Sequence, residues 1–147
     1  MIFFLIKAQQ KHIELAPCKS VIATVNPQEI KQVILNLITN AMDSIDSEGN
    51  IVLTLGIFES MAEIVVSDNG CGMTEEVQQN LFEPFFTQRR GSQGTGLGLS
   101  IAYRIVEDHG GRLDAKSEGL ERGSQFHVFL PLAGGKEKPK GMHYQAA

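Results

Sequence analysis

The stretch Asp68-Asn69-Gly70-Cys71-Gly72-Met73 follows a β-branched run, Glu63-Ile64-Val65-Val66-Ser67, that is typical of a strand. An ionised carboxylate only accepts hydrogen bonds, so Asp68 at the strand end would favour the exocyclic amine of adenine over the carbonyl of guanine. Gly70 and Gly72 lack a Cβ atom, which predicts a backbone with positive φ that lies close against a flat ring. Taken alone, the six residues are equally compatible with an ordinary Asp-Asn-Gly turn.

A second glycine-rich stretch, Gly94-Thr95-Gly96-Leu97-Gly98-Leu99-Ser100-Ile101, opens a helical pattern. Backbone N–H groups at a helix N-terminus bind anions, and glycine removes the side chains that would hold phosphates away. The spacing differs from a dinucleotide-binding fingerprint, and a P-loop is excluded because no lysine lies between Lys31 and Lys116. By itself this stretch is weak evidence for a phosphate site.

A long helix is predicted over residues 27–46. Asn26 can cap it, Pro27 suits the first helical position, and Glu29 completes a capping box. Apolar residues recur every three or four positions and form a core-facing stripe, which consists of Ile30, Val33, Ile34, Leu37, Ile38, Ala41 and Ile45.

A polar face of the same helix carries Gln32, Asn36 and Asn40 at intervals of four residues, with Asp43 among them. An asparagine offers a neutral carbonyl oxygen that suits Mg²⁺, an ion that keeps several waters and shares its shell with phosphates. Most such faces are merely solvated. Together with the two glycine-rich stretches, however, this face predicts a site for a purine, a polyphosphate and a divalent cation.

Five sequence elements together resemble the catalytic, ATP-binding domain of sensor histidine kinases, nearest to the sporulation- and nitrogen-regulatory-type kinases. They match the asparagine box, first glycine box, phenylalanine box, second glycine box and final glycine-threonine-x-phenylalanine element, in the family's order, at residues 36–41, 68–73, 82–86, 94–99 and 123–126. The wider class is the GHKL superfamily, which includes gyrase and heat-shock chaperone ATPases. The resemblance implies the Bergerat ATP-binding fold, with ATP and Mg²⁺ as cofactors.

The resemblance also implies roles for single residues. Asn36 would be the magnesium ligand and a catalytic residue, Asn40 would contact a phosphate, and Asp68 would hold adenine N6. Gln32, one turn before Asn36, and Arg89, where relatives have lid lysines or arginines, complete the candidate catalytic set.

The ATP-binding set implied by the resemblance is larger: Asn36, Asn40, Asp43, Asp68, Gly70, Gly72, Met73, Thr95, Gly96, Leu97, Gly98, Leu99 and Ser124. Two of its positions depart from the family pattern. Asp43 stands where many members have lysine, and Ser124 replaces the usual threonine, which keeps the hydroxyl and loses a methyl contact.

The lid loop is expected to respond to the nucleotide. Residues 87–93 lack an apolar anchor, so they should be mobile without nucleotide and become ordered when it binds. Arg89 or Arg90 could then gain a charge-assisted bond to phosphate.

Length and composition limit the alternatives. The 147 residues, 42% of them hydrophobic, fit one domain over residues 1–133 followed by a disordered tail at 134–147. A net charge of −4 argues against nucleic-acid binding. Cys18 and Cys71 lack metal or redox spacing, which is typical of reduced cytoplasmic thiols. The apolar run at 2–6 is too short to cross a bilayer, which predicts no membrane contact for this segment, whether or not a parent protein is anchored.

The overall pattern predicts a two-layer α/β (α+β) sandwich, in which a mixed, mostly antiparallel sheet packs on helices. Besides the long helix, helices are expected near 3–11, 75–81 and 96–109. Strands are expected near 12–16, 21–25, 50–58, 61–67, 111–117 and 123–131.

None of the four histidines suits the phosphoacceptor role. His12 precedes a proline by five residues but lacks the acidic neighbour, whereas His109, His127 and His143 fall at a helix end, in a strand and in the tail. The resemblance therefore implies transfer of the γ-phosphoryl of Mg-ATP to a histidine on a separate dimerisation and phosphoacceptor domain, of the same protein or a partner, with a response regulator downstream.

Three other functions stay open. One is a GHKL-type ATPase, although Gln32 stands one turn before Asn36, where such enzymes use a general-base glutamate, and glutamine cannot abstract a proton. The others are an anti-sigma-type serine kinase, against which the phenylalanine box argues, and a module that only binds nucleotide.

Overall fold

The computed structural model describes residues 11–87 and 96–134. Within them the chain forms strands β1 (His12–Leu15), β2 (Asn50–Phe58), β3 (Met61–Asp68), β4 (Arg112–Lys116) and β5 (Ser124–Pro131), and helices α1 (Pro27–Ser44), α2 (Glu75–Asn80) and α3 (Gly98–Asp108).

The described strands form one mixed sheet in the order β1-β2-β3-β5-β4. Strand β1 runs parallel to β2, and every other neighbouring pair is antiparallel. The predicted sandwich with a mixed, mostly antiparallel sheet is therefore confirmed. Among the described residues, no helix is both long enough and apolar enough to cross a membrane.

The core lies between one face of this sheet and helices α1 and α3. Alternate strand residues point toward the helices because side chains of a strand alternate between its two faces. The largest fully buried side chains come from both layers: Ile51, Val66, Phe126 and Val128 from the sheet, and Val33, Leu37 and Val106 from the helices. This packing fixes the end of β3, where Asp68 lies, relative to both helices.

The cap of α1 is built differently from the predicted capping box. The Asn26 side chain does accept hydrogen bonds from the N–H groups of Gln28 and Glu29, at 3.0 and 3.3 Å. The backbone N–H of Asn26, however, donates to Nε2 of His109 at 3.1 Å rather than to Glu29. His109 Nδ1 lies 2.7 Å from the carbonyl oxygen of Ile105, so Nδ1 carries the proton and Nε2 is free to accept.

His109 thus ties the end of α3 to the start of α1. Glu29 Oε2 is 3.5 Å from the same Nε2 atom. A neutral imidazole that accepts the Asn26 N–H cannot donate to that carboxylate, so we regard this contact as secondary. The sequence placed His109 at a helix end but gave no sign of this bond to Asn26.

Two other expectations fare differently. The strand predicted at 21–25 reduces to a single bridge between Ala23 and Leu132, so that prediction was wrong. The helix predicted near 3–11 and the disordered tail fall almost wholly outside the described residues.

The turn between β2 and β3 is tight and has an uncommon backbone. Glu59 and Ser60 have φ of 46° and 64°, both in the left-handed region. Such a two-residue hairpin turn favours Asn-Gly. Most residues with a Cβ atom are strained at positive φ, whereas glycine is not and asparagine tolerates it. The β2–β3 pairing supports this strained turn.

Candidate nucleotide-binding site

Asp68 ends β3 as a buried carboxylate, with 8% of its surface exposed. Its Oδ1 atom accepts the N–H of Gly70 at 2.9 Å, and Ser124 is the register partner of Asp68 across β3 and β5. Its Oδ2 atom is buried without a hydrogen-bond partner among the described residues. Leaving a buried polar atom unpaired is costly, so Oδ2 is a vacant acceptor that a ligand donor could fill.

Burial sets the ionisation of this carboxyl. Desolvation raises the pKa of Asp68 above its ordinary value of 3.8, and the N–H groups of Gly70 and Ser124 oppose that rise only in part. A donor placed at Oδ2 would favour the charged form further.

The glycines that follow Asp68 pack against protein backbone. A Cβ atom on Gly70 would lie 2.2 Å from the Ser44 carbonyl oxygen, and one on Gly72 would lie 2.0 Å from the Gly119 carbonyl oxygen. Gly72 has a positive φ of 65°, and Gly70 does not. The sequence argument was therefore wrong about Gly70's backbone, and it missed that both glycines are needed for close backbone contacts within the protein.

Hydrogen bonds hold this turn from two sides. On one side, the N–H of Cys71 donates to the Ser44 carbonyl at the end of α1, at 2.9 Å. On the other, Cys71 accepts from the N–H of Glu121 at 2.8 Å, and Gly70 accepts from Gly123 at 3.1 Å. The Asp68 end of the candidate site is therefore fastened to both the helix and the loop between β4 and β5.

Asn36 connects α1 with the start of α3. Its Nδ2 atom donates to the Gly98 carbonyl at 2.9 Å, and its Oδ1 atom accepts from Gln32 Nε2 at 2.7 Å. Because a carbonyl can only accept, Gly98 fixes which way the Asn36 amide is oriented. Oδ1 keeps a second lone pair that could bind a cation.

Among the residues that the structure describes, no side chain caps the N-terminus of α3, so the amides of its first turn are donors suited to an anion. Among the described residues, a Cβ atom on Gly98 would meet only Asn36 atoms, in ordinary van der Waals contact at 3.9 and 4.0 Å. Gly96 differs, because its φ is 68° and an added Cβ would lie 2.7 Å from Phe85 Cα. The N–H of Phe85 donates to the Gly96 carbonyl at 2.8 Å, which joins the phenylalanine box to the second glycine box.

Helix α1 links the two ends of the candidate site. Asn36 contacts the start of α3 and Ser44 contacts the Gly70 turn. Eight residues of helix separate them, about 12 Å at 1.5 Å per residue. Asn40 lies half-buried midway, whereas Asp43 is exposed on the same helix. An elongated ligand with a donor at one end and anionic groups at the other matches this layout.

The chemistry of these groups fits a magnesium nucleotide. The unpartnered Oδ2 atom suits an exocyclic amine, the uncapped helix start suits phosphates, and Asn36 Oδ1 suits a hard cation. Met73 is buried beside the turn, and Leu97 and Leu99 flank Gly98. Arg89, Thr95 and the lid expectation lie outside the described residues.

Two residues of this region were not foreseen. Ser117 hydrogen-bonds to the main chain of Met73 and Gly123, and Gln78 to that of Ser117 and Met73. The local sequence around Ser117, between β4 and a glycine-containing loop, gives no signal for such a role. Ser124, by contrast, was predicted, and it lies opposite Asp68 where β3 and β5 pair.

Comparisons with known proteins show the family of the chain. The family described as histidine kinase-, DNA gyrase B-, and HSP90-like ATPase matches residues 25–134. The sensor histidine kinase ZraS of Klebsiella oxytoca is 40% identical over 119 residues, which cover 79% of this chain and 25% of that protein. Sporulation kinase E of Bacillus subtilis is 38% identical over 107 residues, which cover 72% and 14%. The chain thus spans a quarter or less of these relatives.

Solved structures give the same result. The catalytic domain of histidine kinase ThkA has a TM-score of 0.75 and 30% identity, with 89% of this chain and 85% of that chain covered. Full-length ShkA in complex with AMPPNP has a TM-score of 0.74 at 24% identity, with 92% of this chain and 29% of that chain covered, which indicates a shared fold.

Proposed function

The chain belongs to the family of histidine kinase-, DNA gyrase B- and HSP90-like ATPases, and on that premise we propose that it is the ATP-binding catalytic domain of a sensor histidine kinase. Its substrate is Mg-ATP, and its product is a phosphohistidine on a separate dimerisation and phosphoacceptor domain. A response regulator receives the phosphoryl group afterwards. The use of ATP implies a cytoplasmic location for this domain.

The observation that carries this proposal is the unpartnered Oδ2 atom of the buried Asp68. A carboxylate buried to this degree is stabilised by a donor, and the adenine amine is a donor where guanine has a carbonyl. The N–H of Gly70 already donates to Oδ1, which leaves Oδ2 as the oxygen that would accept from the base.

Asn36 is the proposed magnesium ligand. The Gly98 carbonyl orients its amide, and beside the bond from Gln32 one lone pair of Oδ1 is available to the cation. The bound cation would supply charge neutralisation on the transferring phosphoryl group. The amides at the start of α3, beside Gly98, would orient the phosphates, and Asn40 would contact them from α1.

The environment of Asn36 also favours transfer over hydrolysis. Gln32 donates to Asn36 Oδ1 and has no group that could take a proton from water. An imidazole needs no such base, because its neutral nitrogen is already nucleophilic. Two of the chain's own histidines already have partners: His109 accepts the N–H of Asn26 in the cap of α1, and His127 Nδ1 lies 2.8 Å from Glu63 Oε1.

Phosphotransfer to a set of helical hairpin proteins that carry a phosphoacceptor histidine tests the proposal. With ATP labelled at the γ-phosphate, we expect label on the hairpin that is acid-labile and base-stable. Asp68→Asn and a hairpin whose histidine is replaced by glutamine are the matched controls, and neither should be labelled.

Other results would assign a different function. Acid-stable label would indicate a serine kinase, and rapid phosphate release without any hairpin would indicate an ATPase. Tight nucleotide binding without transfer to any hairpin would leave only a binding module.

A further inference from the structure

Ser117, directly after β4, uses the full hydrogen-bonding capacity of its hydroxyl. Oγ donates to the Gly123 carbonyl at 2.7 Å, and the Gly119 carbonyl is farther away at 3.2 Å. Oγ also accepts from the N–H of Met73 at 3.0 Å and from the N–H of Gly119 at 3.3 Å. A hydroxyl has one hydrogen and two lone pairs, so one donated and two accepted bonds saturate it.

The bond from Ser117 reaches Asp68 through two further hydrogen bonds. Ser117 holds the Gly123 carbonyl at 2.7 Å, and the N–H of Gly123 donates to the Gly70 carbonyl at 3.1 Å. The N–H of Gly70 in turn donates to Asp68 Oδ1 at 2.9 Å. Fixing Gly123 therefore fixes the direction from which the carboxylate is held.

Gln78 of α2 holds Ser117 in turn. Its Oε1 atom accepts the Ser117 N–H at 3.1 Å, and its Nε2 atom donates to the Ser117 carbonyl at 3.2 Å. One side-chain amide thus pairs with both backbone groups of Ser117. Nε2 also lies 3.5 Å from the Met73 carbonyl, at the limit of a hydrogen bond.

We propose that Ser117 is a positioning residue for recognition of the adenine base, acting on Asp68 through Gly123 and Gly70 and on the Gly70–Met73 turn through the Met73 amide. Gln78 positions Ser117. The inference rests on the proposed function, since it takes Asp68 as the group that binds the adenine amine. Neither Ser117 nor Gln78 touches the nucleotide.

The test is Ser117→Ala, with calorimetric affinities for a non-hydrolysable ATP analogue and for its purine counterpart, which lacks the 6-amino group. Loss of one neutral hydrogen bond is worth about a tenfold change, so ATP-analogue affinity should fall roughly tenfold. Affinity for the purine nucleotide should stay within about twofold, because that nucleotide makes no bond to Asp68. Ser117→Thr keeps the hydroxyl and should restore discrimination between the two nucleotides.

Two controls separate positioning from folding. Asn80→Ala removes a side-chain bond to the Glu76 carbonyl within α2, away from Ser117, and should change neither affinity. Gln78→Ala leaves the hydroxyl in place and should produce the same selective loss, about two- to fivefold. If thermal denaturation shows that Ser117→Ala does not fold, the Gln78→Ala variant tests the positioning role instead.

Equal losses for both nucleotides would overturn the proposal, and so would failure of Ser117→Thr to restore discrimination. Wild-type protein that binds neither nucleotide would instead contradict the proposed function. Wild-type protein that binds both equally would remove Asp68 from base recognition.

Discussion

Replacing Asp68 by asparagine exchanges one oxygen atom for an NH₂ group and so tests the proposed contact with the adenine amine. The asparagine oxygen can keep the bond to the Gly70 N–H, which is 2.9 Å long in the wild type. Its –NH₂ group then takes the position of Oδ2, the atom that has no partner among the described residues. A donor would face the adenine amine, which is also a donor.

The expected loss of affinity is large. A hydrogen bond to a charged acceptor is worth about 1.5–3 kcal/mol, and an unsatisfied buried donor costs about 1–3 kcal/mol more. A total of about 3–5 kcal/mol corresponds to a hundredfold to several-thousandfold weaker binding. Titration calorimetry with a non-hydrolysable ATP analogue measures it, and unchanged affinity would remove Asp68 from the site.

Replacing Asp68 should have the opposite effect on the stability of the free protein, which should gain where ATP affinity is lost. Because burial raises the pKa of Asp68, the folded protein binds this proton more tightly than the unfolded chain does. Between pH 3.8 and the raised pKa, the contribution of this carboxyl to stability therefore falls as pH rises, and above that window it stays at its lowest value.

Asp68→Asn removes this penalty, so its Tm relative to wild type should be higher at pH 7 than near pH 4. A difference that is independent of pH would show that the carboxyl carries no burial penalty. Wild-type ATP affinity should also weaken as pH falls through the raised pKa, since the ionised form accepts the amine.

Four further variants test other parts of the molecule. Gly98→Ala should fold like wild type, because its Cβ makes only ordinary van der Waals contact with Asn36 among the described residues, yet it should bind the triphosphate roughly tenfold more weakly. Gly96→Ala should instead lose about 1–3 kcal/mol of stability in denaturant titrations, from its positive φ and backbone clash. Equal Tm values for these two variants would contradict this distinction. Asn36→Ala should weaken binding more with Mg²⁺ than without it, and equal losses in both titrations would count against a ligand role. Glu59→Asn combined with Ser60→Gly should raise the free energy of unfolding by about 1 kcal/mol, and a lower value would mean that these side chains stabilise the turn.

Much of the fold follows from local patterns. The β-branched run before Asp68 predicts β3, and the stripe beginning at Ile30 predicts α1, because period and capping residues act within a few positions. The strand expected at 21–25 has the same alternation, but it failed because only Ala23 finds a pairing partner, Leu132. Alternation reports which side chains face the core, and pairing also needs a neighbouring strand.

The candidate site, too, could be predicted from the sequence only where its features are local. The type and spacing of Asn36, Asp68 and Gly98 could be interpreted from the sequence, since each offers a distinctive group. The partners of those groups could not. His109 reaches Asn26 across 83 positions, and Ser117 reaches Met73 across 44. Bonds of this kind depend on how elements meet in the fold, and nothing in the local sequence encodes them.

The two contacts between α1 and α3 impose a length rule on the chain. One joins Asn26 to His109 and the other joins Asn36 to Gly98, so ten residues of α1 run opposite eleven residues of α3. Both segments measure about 15–16 Å along the helix axis. One inserted residue in either segment would shift its end by about 1.5 Å and rotate it by roughly 100°, which would break one of the contacts. The two contacts therefore constrain the lengths of these two helix segments relative to each other.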